Sequence, residues 1–357
     1  MRAFVLRVDP SGHSVDVAVA ERGLETVPQI ARQHRALAAI NGDLDLAGDL
    51  IHPFIEDGSI VQSGSRAGHV FAVDRSGRHA YIGRTRPRAS AEDLGSMQRI
   101  PVAHWNTGWP AARSLVAYTT SAGFMRAPIG SCSVRVLPSA APSWLPGGVG
   151  IERRYSVDRV ECPTGRLAPH GGVVLSARNG KAGAAWVRGL RSGGSVTLRW
   201  SVGWPWVLDL QGGMPLLLRD GRVVAPRSCP SSFCARQPRT GVAVTEGCED
   251  VDSRTRCHVL YAVVDGRRPG WSVGLRLDAF ARLLRGLGAS TALNLDGGAS
   301  TTMVVQGRVV NRPAEKRLRA VPSGMLVLEG SDGSEPASLA VPNAAGVFAS
   351  PDAPRRV

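Results

Sequence analysis

Lysine is almost missing from this 357-residue chain. Of its 43 basic residues only Lys181 and Lys316 are lysine, so a formal charge of +14 rests on arginine scattered along the sequence. A basic surplus draws polyanions. Nothing else that nucleic-acid binding requires accompanies it: no basic run is interleaved with aromatics, and there is no zinc-finger spacing or helix-turn-helix cue. Nucleic acid is therefore not an expected partner, while an anionic small molecule or cell-envelope polymer is compatible. Long apolar runs are lacking too. With no stretch of about 18 apolar residues, no membrane span is expected. The opening MRAFVLRVDPSGHSVDVAVA alternates like a strand and has no apolar centre of a secretory signal, so an exported protein is expected to have lost that segment. Also missing are a phosphate loop with Gly-Lys-Ser/Thr, a Gly-x-Ser-x-Gly elbow and a His-Glu-x-x-His helix. A nucleotide-binding loop, a serine hydrolase and a zinc protease are thus without support.

What is present points to strands. The chain is 43% hydrophobic, enough for a large core, and carries 42 glycines and 24 prolines, many for a helical protein. Short Val-rich runs separated by turn residues recur, among them YAVVDGRR, GSVTLRW, PLLLRDGRVV and MVVQGRVV, whose Asp-Gly and Gln-Gly tips favour hairpins. Two segments read as amphipathic helices: Val27 to Ile40, with Ile30, Leu37 and Ile40 at helical spacing, and GLRLDAFARLLRGLGAS, where Leu277, Phe280, Leu283, Leu284 and Leu287 form a stripe that Gly288 terminates. Arg84 to Arg99 reads as a polar loop and SAAPSWLPGGVG as a surface connection, yet neither splits the body convincingly. The expected fold is α+β, a single strand-rich domain of mixed β-sheets with a few packed helices. It takes in residues 1–329 with 1–83 integral to it, and 330–357 has tail composition.

Six cysteines stand at 132, 162, 229, 234, 248 and 257. Pairing 132 with 162, 229 with 234 and 248 with 257 gives three disulfides in an extracytoplasmic protein. The alternatives are a zinc site from the last four, whose C-x4-C and C-x8-C spacing fits poorly, and unpaired buried thiols.

Four clusters carry candidate chemistry. In TALNLDGGASTT a buried strand stops at Asp296, where Gly297 and Gly298 allow a sharp turn and Asn294, Ser300, Thr301 and Thr302 crowd polar groups together. In AINGDLDLAGDLIHPF, Asn41 precedes Gly42, with Asp43, Asp45 and His52 following. In ARQPRTGVAV, Arg239 and Thr240 follow a proline, and a rigidly held guanidinium suits a phosphate or carboxylate. In VLDLQGGMPLLL, Gly212 and Gly213 mark a bulge or a close backbone approach.

In this order, AINGD, HGGVVLSARNG, LRSGGSVTLRW, LQGGMPLLLRDGRV, PRTGVAV, VVDGRRPGWSVGLRLDAFARLLRGLGA and ALNLDGGASTTMVVQGRVVNRP resemble the phosphodiester glycosidase family over roughly residues 30 to 328. The chain departs from the family at Asp43-Leu44-Asp45-Leu46 and at Val244. The resemblance implies an exported enzyme that hydrolyses the glycosidic bond of a sugar-1-phosphodiester, with Asn41, Arg239, Asp296, Gly297, Gly298 and Ser300 lining one pocket and Gly212 and Gly213 on its wall. On that basis Arg239 neutralises the leaving phosphate with help from Asn41, Asp296 stabilises the oxocarbenium-like centre or activates water, and Asp43 or His52 is the second acid/base. Thr240, Asn294, Ser300 and Thr301 would contact substrate. Two rival expectations remain. Asp43, Asp45, Asp296 and His52 are a candidate ligand set for Mg or Ca in a metal-dependent phosphodiesterase. The chain also suits a non-catalytic binder of anionic polysaccharide.

Overall fold

The computed structural model describes residues 1–330 apart from 22, 47–48, 65–67, 78, 108–112, 121–126, 165–166, 230–231 and 249–256. The expected tail lies outside the described residues from 331 onward. Chain contacts group into two compact units: one takes in Met1–Arg88, Trp144–Ile151 and the described chain from Trp200 on, the other Ala89–Ser143 and Glu152–Arg199. The described residues hold three α-helices among many strands, an α+β composition dominated by β.

In the first unit the central element is a six-stranded antiparallel sheet ordered Ala3–Val8, Val259–Val264, Arg239–Val244, Thr291–Asn294, Leu216–Arg219 and Arg222–Val223. Its strands read as continuous apolar runs because both faces are covered. Alternate residues on a strand point to opposite sides. Val242, Tyr261, Val263 and Leu293 enter one core cluster, while Ala243, Leu260, Ala262 and Ala292 enter another with Leu277, Phe280 and Leu284 of the Leu277–Gly286 helix. The first cluster is shared with two further sheets. One is ordered Ala80–Thr85, Gly68–Asp74, Val207–Gly213, Phe54–Glu56, Ser59–Gln62, and the other His13–Val19, Ser323–Glu329, Ala38–Asn41, Met303–Val305, Arg308–Val309. The Val27–Gln33 helix covers the remaining face of the latter through Val27, Ile30 and Ala31.

Four carboxyls gather in this unit. Asp57 donates its N–H to Asp209 Oδ1 at 2.8 Å, and Glu56 Oε1 accepts from Val19 N at 3.0 Å. Burial, followed by mutual repulsion with Asp57, pushes Asp16 up to about 7. Burial raises Glu56 and Asp209 well above the carboxylate range and raises Asp57 as well.

In the second unit an eight-stranded sheet runs Cys132–Pro138, Val173–Ala177, Leu115–Tyr118, Arg99–Trp105, Arg88–Asp93, Ser195–Ser201, Ile151–Glu161, Ser143–Trp144, and pairing of Cys132–Pro138 with Ile151–Glu161 closes it. Arg99–Trp105 and Leu115–Tyr118 are parallel, so this sheet is mixed. All three expected disulfides are present, Cys132–Cys162, Cys229–Cys234 and Cys248–Cys257, and no cysteine is free.

Three local expectations change. The helix from Val27 stops at Gln33 and Arg35 takes φ +52; Leu37 and Ile40 then belong to the turn into the Ala38–Asn41 strand and to that strand. Arg84 to Arg99 is largely strand. Asp265-Gly266 is not a hairpin tip, because the buried Asp265 carboxylate accepts from Asn311 Nδ2, Arg312 N and Trp271 Nε1. The other tips hold: Asp220-Gly221 and Gln306-Gly307 have φ of 49° and 69°, and 48° and 73°, the left-handed pair of a tight hairpin turn.

Candidate active site

Thr291–Asn294 is an interior strand of the six-stranded sheet, and the chain leaving it is held on both sides. Leu295 N donates to Thr240 O at 2.9 Å, Asp296 N to Gly42 O at 3.0 Å, and Gly298 N to Pro238 O at 3.0 Å. The Asp296 carboxylate, half-buried, accepts from Gly297 N at 2.9 Å. A side chain at Gly297 would meet Pro238 O at 2.7 Å, so the turn fits only a glycine there.

Asn41 ends its strand fully buried, and its carboxamide joins three segments that are remote in sequence. Nδ2 donates to Asp296 O at 2.7 Å, and Oδ1 accepts from Thr240 Oγ1 at 2.8 Å and from Thr302 N at 3.2 Å. Thr240 Oγ1 also lies 3.3 Å from Thr301 Oγ1. The expectation of an Asn41 amide presented to a cleft is thus replaced by a buried tie that fixes the backbone of Asp296.

Next to Gly42 stands a dyad. Asp43, 1% exposed, accepts His52 Nδ1 on Oδ1 at 2.6 Å and the His52 N–H on Oδ2 at 2.9 Å. The carboxylate thereby takes Nδ1–H, so the lone pair of the neutral ring resides on Nε2. Asp43 N donates to Ser323 Oγ at 3.1 Å, and Ser323 Oγ donates in turn to Gln211 Oε1 at 3.1 Å, which fixes the dyad from behind.

Gly212 and Gly213 end the Val207–Gly213 strand between the dyad and the Asp296 segment. A β-carbon at Gly212 would sit 2.2 Å from His52 Cβ, and one at Gly213 would sit 2.6 Å from Asn294 O. The close approach expected of this pair is what the structure has. Asn294 Nδ2 donates to Met214 O and Leu295 O, both at 2.7 Å, while its Oδ1, Ser300 Oγ and Thr302 Oγ1 are buried and meet no partner among the described residues. Unmet buried polar atoms are costly, and three of them gather around this turn.

Arg239 departs from expectation. It is 2% exposed, and its guanidinium is already engaged: Nε donates to Leu275 O at 2.9 Å and Nη2 to Phe233 O and Ala235 O at 2.7 and 2.8 Å. Burial, then the charge of Arg267, lowers it to about 10. The fork expected to meet a leaving phosphate is spent on backbone carbonyls.

Two side chains at the site escaped the sequence. His69 pairs with Gly213 across neighbouring strands; its Nε2 is buried without a partner among the described residues, and burial, then Arg219, Arg84 and His52, holds it below the ordinary imidazole range. Arg267 lies at the Gly298 turn. No signal in RAGHVFAVD marks His69, and Asp-Gly before Arg267 signals only a turn. For Mg or Ca, no group of three or more metal-ligating side chains converges among the described residues, and the side chain of Asp45 is outside them.

A family model described as phosphodiester glycosidase matches residues 148–328, just over half of the chain. The chain belongs to the phosphodiester glycosidase family. No curated protein matches it. Among solved structures, a hypothetical protein from Synechocystis shares the fold of this glycosidase-family chain with TM-score 0.67 at 20% identity, covering 92% of this chain and 59% of that one. This chain thus spans well under two thirds of that relative's length. A protein described as a candidate exported protein from Burkholderia pseudomallei matches with TM-score 0.63 at 22% identity, over 91% and 73% of the two chains. The catalytic domain of zebrafish N-acetylglucosamine-1-phosphodiester alpha-N-acetylglucosaminidase, auto-inhibited by its pro-peptide, gives TM-score 0.44 at 14% identity, over 92% and 83%. In the structure Gly42 accepts from Asp296 N, Gly212 packs on His52 and Gly213 on Asn294, a glycine-lined seam.

Proposed function

We propose that the protein hydrolyses the glycosidic bond of a sugar-1-phosphodiester, releasing the free sugar and a phosphomonoester. The observation that carries this reading is the seam itself: Gly42 gives its carbonyl to Asp296 N, and the next residue, Asp43, orients His52. In the reaction water oxygen bonds to the anomeric carbon, the bond from that carbon to the phosphate oxygen breaks with its electron pair leaving on the phosphate, and the water proton passes to a base. His52 Nε2, aimed by the Asp43 contact to Nδ1, takes that proton. Asp296, its backbone locked by Asn41 and Gly42, sets a negative charge against the oxocarbenium-like centre. A phosphate leaves readily without protonation, so one base and one carboxylate meet the demand.

Asn41 contributes by position, as does Gly212–Gly213, whose missing side chains admit the close packing of His52. Three disulfides suit action outside the cytoplasm, where thiols are not kept reduced. No described helix is long and apolar enough to cross a membrane. The test is product analysis with a panel of sugar-1-phosphodiesters for the wild type, Asp296→Asn and His52→Gln. Turnover by the wild type, lost in both folded variants, is expected. Glycan binding without turnover in the wild type overturns the enzymatic reading, and activity abolished by chelator and restored by Mg or Ca favours the metal-dependent rival.

A further inference from the structure

Two guanidinium groups come close beside the Asp296 turn, and their hydrogen bonds go only to neutral groups. Arg239 donates to the carbonyls of Leu275, Phe233 and Ala235, and Arg267 Nε donates to Gln237 Oε1 at 2.6 Å. No carboxylate among the described residues forms an ion pair with either. Like charges placed together raise the energy of the unliganded protein; the pKa of Arg239 is lowered first by its burial and then by the charge of Arg267. A fixed pair of cations that forms no ion pair among the described residues is stabilised by an anion.

Arg267 is placed to meet one. It is exposed, yet its backbone is fixed: φ is +58, unusual for a residue with a side chain. The following turn is closed by two bonds between Arg268 and Ser272, Arg268 N to Ser272 O at 3.0 Å and Ser272 N to Arg268 O at 2.8 Å. Arg268 itself is clamped to Pro313 O, with Nη2 at 2.6 Å. Gln237, which pins Arg267 Nε, is held by paired backbone bonds with Leu275. The result is a side chain anchored at Nε, with Nη1 and Nη2 meeting no acceptor among the described residues. Its Nη2 stands 3.0 Å from where a β-carbon on Gly298 would be, so it overlies the glycine turn that follows Asp296.

We propose that Arg267 is the contact residue of a phosphate subsite, resting on the reading above: its two terminal nitrogens fork onto the phosphoryl oxygens over the Gly297–Gly298 turn, and Arg239 lies behind as a buried, fixed positive charge. A guanidinium fork matches two oxygens of a tetrahedral phosphate. The arrangement also sets a regulatory consequence. A phosphodiester carries one negative charge and the phosphomonoester product close to two, so the product binds this subsite more tightly than the substrate and inhibits turnover.

Inorganic phosphate is the probe, titrated at low salt by calorimetry into the wild type, Arg267→Gln, Arg267→Lys and, as a control for net charge, Arg285→Gln on the exposed end of a helix. Loss of one charge-assisted fork weakens phosphate binding by roughly ten- to a hundredfold in Arg267→Gln. Lysine restores part of it, and Arg285→Gln matches the wild type. In turnover assays Arg267→Gln raises KM for phosphodiesters while leaving KM for a neutral aryl glycoside unchanged, and it relieves inhibition by phosphate. Phosphate bound equally by the wild type and Arg267→Gln, or not bound by the wild type at all, overturns the subsite. Phosphate binding that depends on Arg267 in a protein that hydrolyses no phosphodiester upholds the subsite and refutes the glycosidase reading alone.

Discussion

At the scale of single residues, the Asp43–His52 contact and the Asn41 tie lead to opposite kinds of defect. Asp43→Asn leaves a hydrogen-bonding group beside Nδ1 but removes the charge that fixes the tautomer. Its kcat is expected to fall by roughly a hundred- to ten-thousandfold, with KM and the unfolding midpoint near those of the wild type. Asn41→Asp instead sets a carboxylate oxygen against Asp296 O, 2.7 Å from the present donor. An acceptor facing an acceptor in a buried place costs about 1–3 kcal/mol, read as a lower urea midpoint. The difference between a working and a holding polar group was not legible in the sequence. Asn41 precedes a glycine and looked like a group offered to a ligand, but its partners come from residues 240, 296 and 302, which no local pattern reveals. The same limit hid the burial of Arg239 and, in a chain full of arginine, the placing of Arg267. Asp296 was legible because the cause is local: an apolar strand, an acid and two glycines in succession.

Elements were read well wherever the punctuation was strong. Gly288 follows the Leu277–Gly286 helix with φ +92, the left-handed cap that the pattern predicts. Gly288→Ala is expected to cost about 1 kcal/mol in thermal or urea unfolding with no effect on kcat, since nothing lies within 4 Å of an added β-carbon and only the backbone strain counts. Gly212→Ala differs, because its β-carbon meets His52 Cβ at 2.2 Å and Pro53 O at 3.0 Å. Loss of activity is expected there together with lowered stability, as His52 is pushed from its place. Where helical spacing misled, in Val27 to Ile40, Leu37 and Ile40 are apolar because the Ser323–Glu329 and Met303–Val305 strands flank the Ala38–Asn41 strand. Burial among strands produces the same apolar pattern as a helix face.

For the molecule as a whole, composition announced an α+β, strand-dominated chain and the cysteine spacing anticipated the three bridges. The grouping of contacts into two units was not announced: the chain passes from one to the other at Arg88 and Ala89, at the start of a strand that follows Pro87, and apolar runs continue on both sides of that proline. The carboxyl group around Asp209 sets a pH dependence with a definite sign. Asp16, Glu56, Asp57 and Asp209 hold protons in the folded state above the pH at which the unfolded chain releases them. The folded form then binds more protons than the unfolded one, so stability is complete below about pH 4 for these groups and declines as pH rises towards 7. The melting temperature is expected to drop between pH 5 and 8, and Asp209→Asn, which keeps the acceptor for Asp57 N, raises it at pH 8 more than at pH 5. Reduction of the disulfides should lower stability as well, by about 3.6 kcal/mol for the 30-residue span closed by Cys132 and Cys162.

The bond from Asn41 to Asp296 bridges 255 positions of the chain. A ribosome emits the first of these residues long before the second, and during that interval the amide has nothing to grasp. Prematurely terminated chains that lack the Ser323–Glu329 strand therefore leave Ala38–Asn41 and the Asp43 backbone unheld, and the site assembles only once that strand has emerged and docked.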